Sequence, residues 1–398
     1  MVIRQAQTIR VRFLDLSVGD ADERARLLAA VARVLSHGRL VLGPEVEEFE
    51  RAVARKLGVR HAVGVCSGTG ALYFALKALG IGPGDEVITT PMSFIATANA
   101  IAAVGAAPVF ADVSDDLNLD PATVEPLITA RTRAIMPVHF TGRVCDMAAL
   151  LTIARRHNLF LVEDASQAFG ATYRAASGDD SGGDSGGDSG GDSGGDSGGD
   201  PGGGTFGDVG CISLNPMKIL AACGEAGVIV THDQTLRDRL VALRYNGLIN
   251  REDCHYRSLN GRLDTIQAAI LLERLRDVDA VIERRRRIAH FYHERLQDFV
   301  AVPREREGCR DVYYTYTIRT PRRDELKAHL EAHGVEAKVY HPLLMPQHTA
   351  YRARFTGRGR WPNAERIVQE ILCLPANERL SDAEVEYVAG VVRAFFGA

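Results

Sequence analysis

The chain has no apolar run near the roughly 20 residues that a membrane-spanning helix requires, and its opening stretch "MVIRQAQTIRVRF" has no apolar signal core. These absences lead to the expectation of a cytoplasmic protein with no membrane partner. Paired cysteines are missing too: the seven stand singly at 66, 145, 211, 223, 254, 309 and 373, without a CxxC or a metal-ligand spacing to histidine. Reduced thiols and no metal site are expected. Concentrated positive charge is also lacking, since the net charge is −4, and neither this balance nor any helix-turn-helix pattern favours nucleic acid. The one basic run, "ERRRRIAH" at 283–290, falls in a helical pattern and reads as a solvated helix face.

Apolar side chains vanish altogether from Ser177 to Gly204, "SGDDSGGDSGGDSGGDSGGDSGGDPGGG". A segment with nothing to bury cannot offset its ordering entropy, so a disordered loop is expected. Its aspartates raise the question of calcium. The calcium β-helix repeat, however, is nine residues long with a regular apolar position, and this four-residue repeat has none.

What remains is an ordinary globular composition, with 398 residues of which 46% are hydrophobic and 25% charged, enough for two domains. Short β-branched runs alternate with helical stretches: "HAVGV" with "GALYFALKALG", "DEVITTP" with "FIATANAIAAVG", "AIMPVHF" with "DMAALLTIARRHN", followed by "FLVEDA". This alternation predicts a mostly parallel sheet covered by helices. Beyond residue 235 come the helix "QTLRDRLVALRYN", a long helical stretch around 262–299 in which "AAILLERL" reads as core, a strand at "DVYYTYTIRT" and a helix at "RRDELKAHLEAHG".

Three motifs fall at strand ends, where parallel sheets collect ligands. In "CSGTGALYFAL" a strand gives way to a helix at Gly68, Thr69 and Gly70, and the free N–H groups there suit an anion such as phosphate, although tight packing alone also explains the glycines. Asp164 ends the apolar strand of "FLVEDASQAFGA", where a carboxylate needs a cation or hydrogen-bond donors. "DASQ" also fits a helix capping box. Finally "CISLNPMKILAACGEAGVIVTHD" holds Ser213 and a lone lysine, Lys218, without an adjacent carboxylate; a desolvated lysine has a usable neutral amine. An anion cradle, an acid and a lysine on one sheet fit pyridoxal phosphate (PLP).

These motifs, together with "GRLVLGPEVEEFERAVARKLGVRHAVGVCSGTGAL", "GDEVITTPMSFIATANAI", "PVHFTGRVCDM", "LNGRLDTIQAAIL", "VYHPLLMPQHTAY" and "CLPANERLSDAEVEYV", make the sequence resemble the DegT/DnrJ family of PLP-dependent sugar aminotransferases along nearly its whole length. The resemblance implies an α/β fold, PLP-dependent transferase fold type I, with a mostly parallel central sheet flanked by helices. Residues 1–250 would form the large PLP-binding domain and 251–398 a smaller C-terminal α+β domain. It further implies that Lys218 is the Schiff-base lysine, that Asp164 pairs with the pyridinium nitrogen, and that Gln167 and Phe94 flank the ring. Gly68, Thr69, Gly70 and Ser213 would hold the phosphate, with Asn260 reaching it from the partner subunit of a homodimer with composite sites. The implied reaction moves an amino group from an amino acid, glutamate being the usual donor, to a keto group of a nucleotide-linked deoxysugar, in polysaccharide or secondary-metabolite biosynthesis. A keto-cyclitol substrate and a catalytically silent PLP-binding regulator are the alternatives; a dehydratase branch carries histidine where Lys218 stands. Two departures concern the substrate: "GEAG", with Ala226, replaces the common "GEGG", and "AAC" replaces a threonine-rich stretch.

Overall fold

The computed structural model describes residues 9–174, 202–355 and 359–398, so the expectation attached to the Gly/Ser/Asp repeat lies almost wholly outside the described residues. Helices α1 (Ala21–His37) and α2 (Pro44–Leu57) lead into strand β1 (His61–Val65) and helix α3 (Gly68–Ala78). There follow β2 (Glu86–Thr89), α4 (Ala96–Ala103), β3 (Ala107–Phe110), β4 (Thr132–Met136), α5 (Met147–Arg156), β5 (Phe160–Asp164), β6 (Val209–Ser213), β7 (Gly227–Thr231) and α6 (Gln234–Arg244). A hairpin of β8 (Leu248–Ile249) and β9 (Asp253–Cys254) precedes α7 (Thr265–Leu275) and α8 (Val278–Leu296). The remainder holds β10 (Tyr316–Arg319), α9 (Arg323–Ala332), α10 (Thr349–Phe355), α11 (Pro362–Glu370), β11 (Ile371–Leu374) and α12 (Asp382–Phe395).

The first seven strands form one sheet in the order β1-β7-β6-β5-β4-β2-β3. Every pairing is parallel except the two made by β7, which gives the expected mostly parallel α/β sheet. The antiparallel strand could not be read beforehand, because the apolar run "GVIVT" is equally compatible with either direction. Helices cover both faces. Val228 and Val230 enter one core with α2, α5 and α7, while Ile229 enters another with α3 and α6, which is why strands buried on both sides lack polar alternation.

A third core joins α8, β10, α9, β11 and α12 around Tyr292, Tyr316, Leu326, Leu372 and Val388. Residues near the start of the described chain lie against it: Val11 is part of this core and pairs with Val335. The helical stretch expected around 262–299 is two helices interrupted at Arg276 and Asp277, and the strand expected in "DVYYTYTIRT" spans only 316–319. Ala268, Ala269, Ile270 and Leu271 of α7 are buried, as a core role for that run requires.

The basic run corrects a sequence expectation. Arg285 is buried and paired with Glu378 at 2.7 Å, Arg284 pairs with Asp382 at 2.6 Å, and Arg286 pairs with Glu305. The carboxylates come from distant parts of the chain, so local sequence gave no sign of them. Only Arg287 of the four is exposed.

A buried carboxylate fixes the return of the chain after the repeat. Glu163, fully buried on β5, accepts hydrogen bonds from the backbone N–H groups of Gly204 (2.8 Å), Phe206 (2.7 Å) and Gly207 (2.7 Å). His139 Nε2 lies 2.8 Å from the same carboxylate, and because Cys145 N donates to His139 Nδ1, Nε2 carries the proton. Four donors compensate the desolvated charge. Replacing Glu163→Ala strands three N–H groups, the Gly204 one buried and two half-buried, and removes the acceptor of the buried His139, and is expected to lower unfolding free energy by about 3 kcal/mol or more, measured by urea denaturation; a loss below about 1 kcal/mol would show that the segment holds its place without the carboxylate.

Candidate active site

The strand ends of β5 and β6, the start of α3, residues 93–97 and residues 337–342 enclose one cavity of about 930 Å3. Among the residues singled out from sequence, Gly68, Thr69, Phe94, Asp164, Gln167, Ser213 and Lys218 line it. Gly70 sits behind the wall, its N–H donating to the Ser67 hydroxyl at 3.0 Å. Asn260 lies away from this cavity on the exposed surface, where its side-chain oxygen accepts from Arg262 Nε at 2.8 Å.

The anion cradle follows from close approach. Ser67 caps α3 through Gly70 N, which leaves the N–H groups of Gly68 and Thr69 without an acceptor among the described residues. A Cβ on Gly68 would stand 2.5 Å from Cβ of Ser213, and one on Gly227 would stand 2.4 Å from the Ser67 carbonyl oxygen. Glycine at both positions therefore lets the helix start lie directly on β6 and β7, beside the Ser213 hydroxyl. Ala226, one of the departures noted above, is fully buried in the main core and its carbonyl accepts from Leu214 N at 2.9 Å.

Asp164 is 3% exposed at the end of β5. Thr97 donates its hydroxyl to Asp164 Oδ2 at 2.8 Å, Ser166 N donates to Oδ1 at 3.2 Å, and Ser93 Oγ lies 3.1 Å from Thr97 Oγ1. The helix-cap reading of "DASQ" fails, since turns and not a helix follow Asp164; the carboxylate is instead held from α4. Gln167 accepts the Thr141 N–H at 2.8 Å through Oε1. Thr141 donates it from a left-handed backbone, φ 61°.

Phe94 is 59% exposed, an unusual state for a phenylalanine beside a cavity. Next to it His341, with φ 56°, lies 6.0 Å from the Phe94 ring and 5.8 Å from the Phe140 ring. Burial, the nearby Lys218 charge and His348 bring its imidazole down to about 4, so it is neutral at pH 7.

Lys218 follows a tight loop in which Asn215 donates its amide to Glu225 at 2.7 Å and accepts the Met217 N–H at 3.1 Å. Burial lowers the Lys218 amine to about 8, against the opposing pull of Asp164 and Glu225. Its Nζ lies 4.3 Å from the centre of the Tyr314 ring. The cavity thus offers free N–H groups for an anion, a buried carboxylate for a cation and an amine that loses its proton at about pH 8. Sequence reading missed Thr97, Glu225, Tyr314 and His341. Thr97 lies three residues beyond Phe94, in the first turn of α4, and that nearness in sequence was the one available signal.

The sequence model described as the DegT/DnrJ/EryC1/StrS aminotransferase family matches residues 21–393. The chain is 39% identical over 392 residues, 98% of itself and 97% of the relative, to a dTDP-3-amino-3,4,6-trideoxy-alpha-D-glucose transaminase of Streptomyces venezuelae. It is 35% identical over 393 residues, 98% of itself and 99% of the relative, to a pleiotropic regulatory protein of Geobacillus stearothermophilus. The fold matches the X-ray crystal structure of S. venezuelae DesV in complex with a ketimine intermediate, with a TM-score of 0.89, 38% identity and coverage of 98% and 100% of the two chains. Among the described residues no helix is long and apolar enough to cross a membrane.

A desolvated lysine costs stability wherever the unfolded chain would hold its proton more tightly. With a folded value of about 8 against 10.5, the cost is full below pH 8 and is relieved as pH rises towards 10.5. In protein freed of bound cofactor, Lys218→Met is therefore expected to raise unfolding free energy by about 1–3 kcal/mol at pH 7. The gain over wild type should shrink between pH 8 and 10.5. A pH-independent difference in denaturation experiments would contradict the lowered amine.

Proposed function

Since the chain belongs to the DegT/DnrJ/EryC1/StrS aminotransferase family, we propose that it uses PLP to transfer an amino group from an amino acid, with glutamate the expected donor, to a keto group of a nucleotide-linked deoxysugar. The observation that carries this reading is the convergence in one cavity of the free N–H groups at Gly68 and Thr69, buried Asp164 and the lowered Lys218 amine. These residues fit the cofactor: a phosphate matches the cradle that a Cβ on Gly68 would fill, a protonated ring nitrogen matches Asp164, and an aldehyde matches a neutral amine. When bound, PLP supplies the electron sink that makes a donor Cα–H bond labile.

The chain's own groups do the rest. Gly68, Thr69 and Ser213 bind the phosphate, Phe94 covers one face of the ring, and Gln167, fixed by Thr141, borders it. Asp164 keeps the ring nitrogen protonated, with Thr97 holding the carboxylate in place. The Lys218 amine takes the proton from the donor Cα and passes it to the cofactor's C4′ in the first half-reaction, and in the second it carries a proton the opposite way, from C4′ to the acceptor carbon. Its value of about 8 suits this, because both protonation states are populated near working pH. Amination at C3 is the first substrate position to test, given the product named for the S. venezuelae relative. The relative named for regulation carries the second reading, a PLP-binding regulator without turnover; an amino-transfer assay separates the two.

The direct experiment is reconstitution with PLP, followed by borohydride reduction and peptide mapping, and an assay with glutamate and nucleotide keto-sugars. Lys218 should carry the tag, and Asp164→Asn should retain much of the cofactor affinity while turnover falls roughly 100-fold or more. A tag on another lysine, or near-normal turnover of Asp164→Asn, would remove the assignment.

We also propose a homodimer in which Asn260, exposed and absent from its own chain's cavity, serves the partner's phosphate. Mixed Lys218→Ala and Asn260→Ala chains, each inactive alone, should then recover one working site per heterodimer, half that of the wild-type dimer. Demonstrated subunit exchange without recovered activity would rule out that placement of Asn260.

A further inference from the structure

Among the described residues Lys218 makes no ion pair, and its amine lies over the face of Tyr314, 4.3 Å from the ring centre. The carboxylates that act on it, Asp164 and Glu225, do so at longer range, and His341 faces it as a neutral ring at pH 7. Asp164 is held by Thr97, and Glu225 by Asn215. Neither carboxylate forms an ion pair with the lysine.

Tyr314 is built in as a fixed surface. It is 7% exposed, its carbonyl accepts from Arg285 Nη1 at 3.2 Å, and its ring meets the Tyr340 ring edge-on at 6.3 Å and 81°. A Cβ on Gly142 would stand 2.8 Å from Tyr314 N, so only glycine lets the 140–142 turn pack there. That same turn, through Thr141 N, holds Gln167. Burial pushes the Tyr314 hydroxyl above the usual tyrosine range, so the ring stays neutral and its electron-rich face remains available to a cation.

We propose that Tyr314 is the positioning residue of Lys218: its ring face receives the ammonium whenever the amine is not joined to the cofactor and keeps it within the cavity. Burial alone favours the neutral amine, and a salt bridge would fix the charged one. A ring face attracts the cation without offering it a proton acceptor or a competing charge. The released amine therefore has a resting place from which either protonation state can leave. This inference rests on Lys218 being the cofactor lysine.

The test is competitive labelling of Lys218 with an amine-acylating reagent across pH in the full chain freed of cofactor, read by mass spectrometry. Tyr314→Leu removes the cation–π attraction and should move the Lys218 labelling midpoint down by about one pH unit, roughly a tenfold change in proton affinity. Tyr314→Phe keeps the ring and should coincide with wild type. Coincidence of Tyr314→Leu with wild type, or an equal displacement in Tyr314→Phe, would overturn the proposal. Should the leucine variant fail to fold, a trifluorinated phenylalanine at 314 keeps the shape while weakening the ring's negative face; its midpoint should fall likewise, and an unchanged midpoint would overturn the proposal. Borohydride tagging reports separately on the cofactor lysine. A tag elsewhere defeats the functional reading while leaving the labelling result interpretable.

Discussion

The start of α3 lies directly against β6 and β7 because neither Gly68 nor Gly227 carries a Cβ, and the site is arranged around that contact. It sets the N–H groups of Gly68 and Thr69 beside Ser213, in the lining of the cavity that Lys218 also lines. A methyl group at either position would need the helix or a central strand to move. Strands buried on both faces have little room to do so, since a shift of one displaces two packed cores.

The molecule holds its polar interior by pairing charges or surrounding them with donors. Glu163 is held by four donors, Arg143 meets Asp311 at 2.6 Å, and Arg244 joins both Glu50 and the Gly64 carbonyl. Lys218 is the contrast. It has no ion-pair partner among the described residues, and its amine is accordingly lowered. A buried charge held without an ion pair, beside others that are paired, is where stability has been given up for chemistry. Left-handed backbone at Thr141, Tyr313 and His341, all close to the cavity, adds to the same picture, since such conformations are held by surrounding structure at a cost of about 1–2 kcal/mol each.

Much of this was legible beforehand. Alternating β-branched and helical runs gave the sheet and its helices, and the ordered motifs gave the family and seven of the residues that line the cavity. One misreading and one open alternative share a cause. "ERRRRIAH" reads as solvated because the carboxylates of Glu378, Asp382 and Glu305 are remote in sequence, and "DASQ" left a helix cap open beside the reading of Asp164 as a charge partner because the Thr97 hydroxyl that holds Asp164 comes from another helix.

Sequence by itself determined what depends on side-chain type and short spacing: which segments can be buried strands, where glycine permits a tight turn, and which lysine and aspartate stand at strand ends. Tertiary structure alone decided what depends on approach between distant segments. The antiparallel direction of β7, the Tyr314 face over Lys218, the Thr141 N–H on Gln167 and the clamp of Glu163 on residues 204–207 are all of this kind. Local pattern fixes which groups are available. Only the packed cores fix the few ångströms between them, and with those the partner each buried charge finds and the form in which it is held.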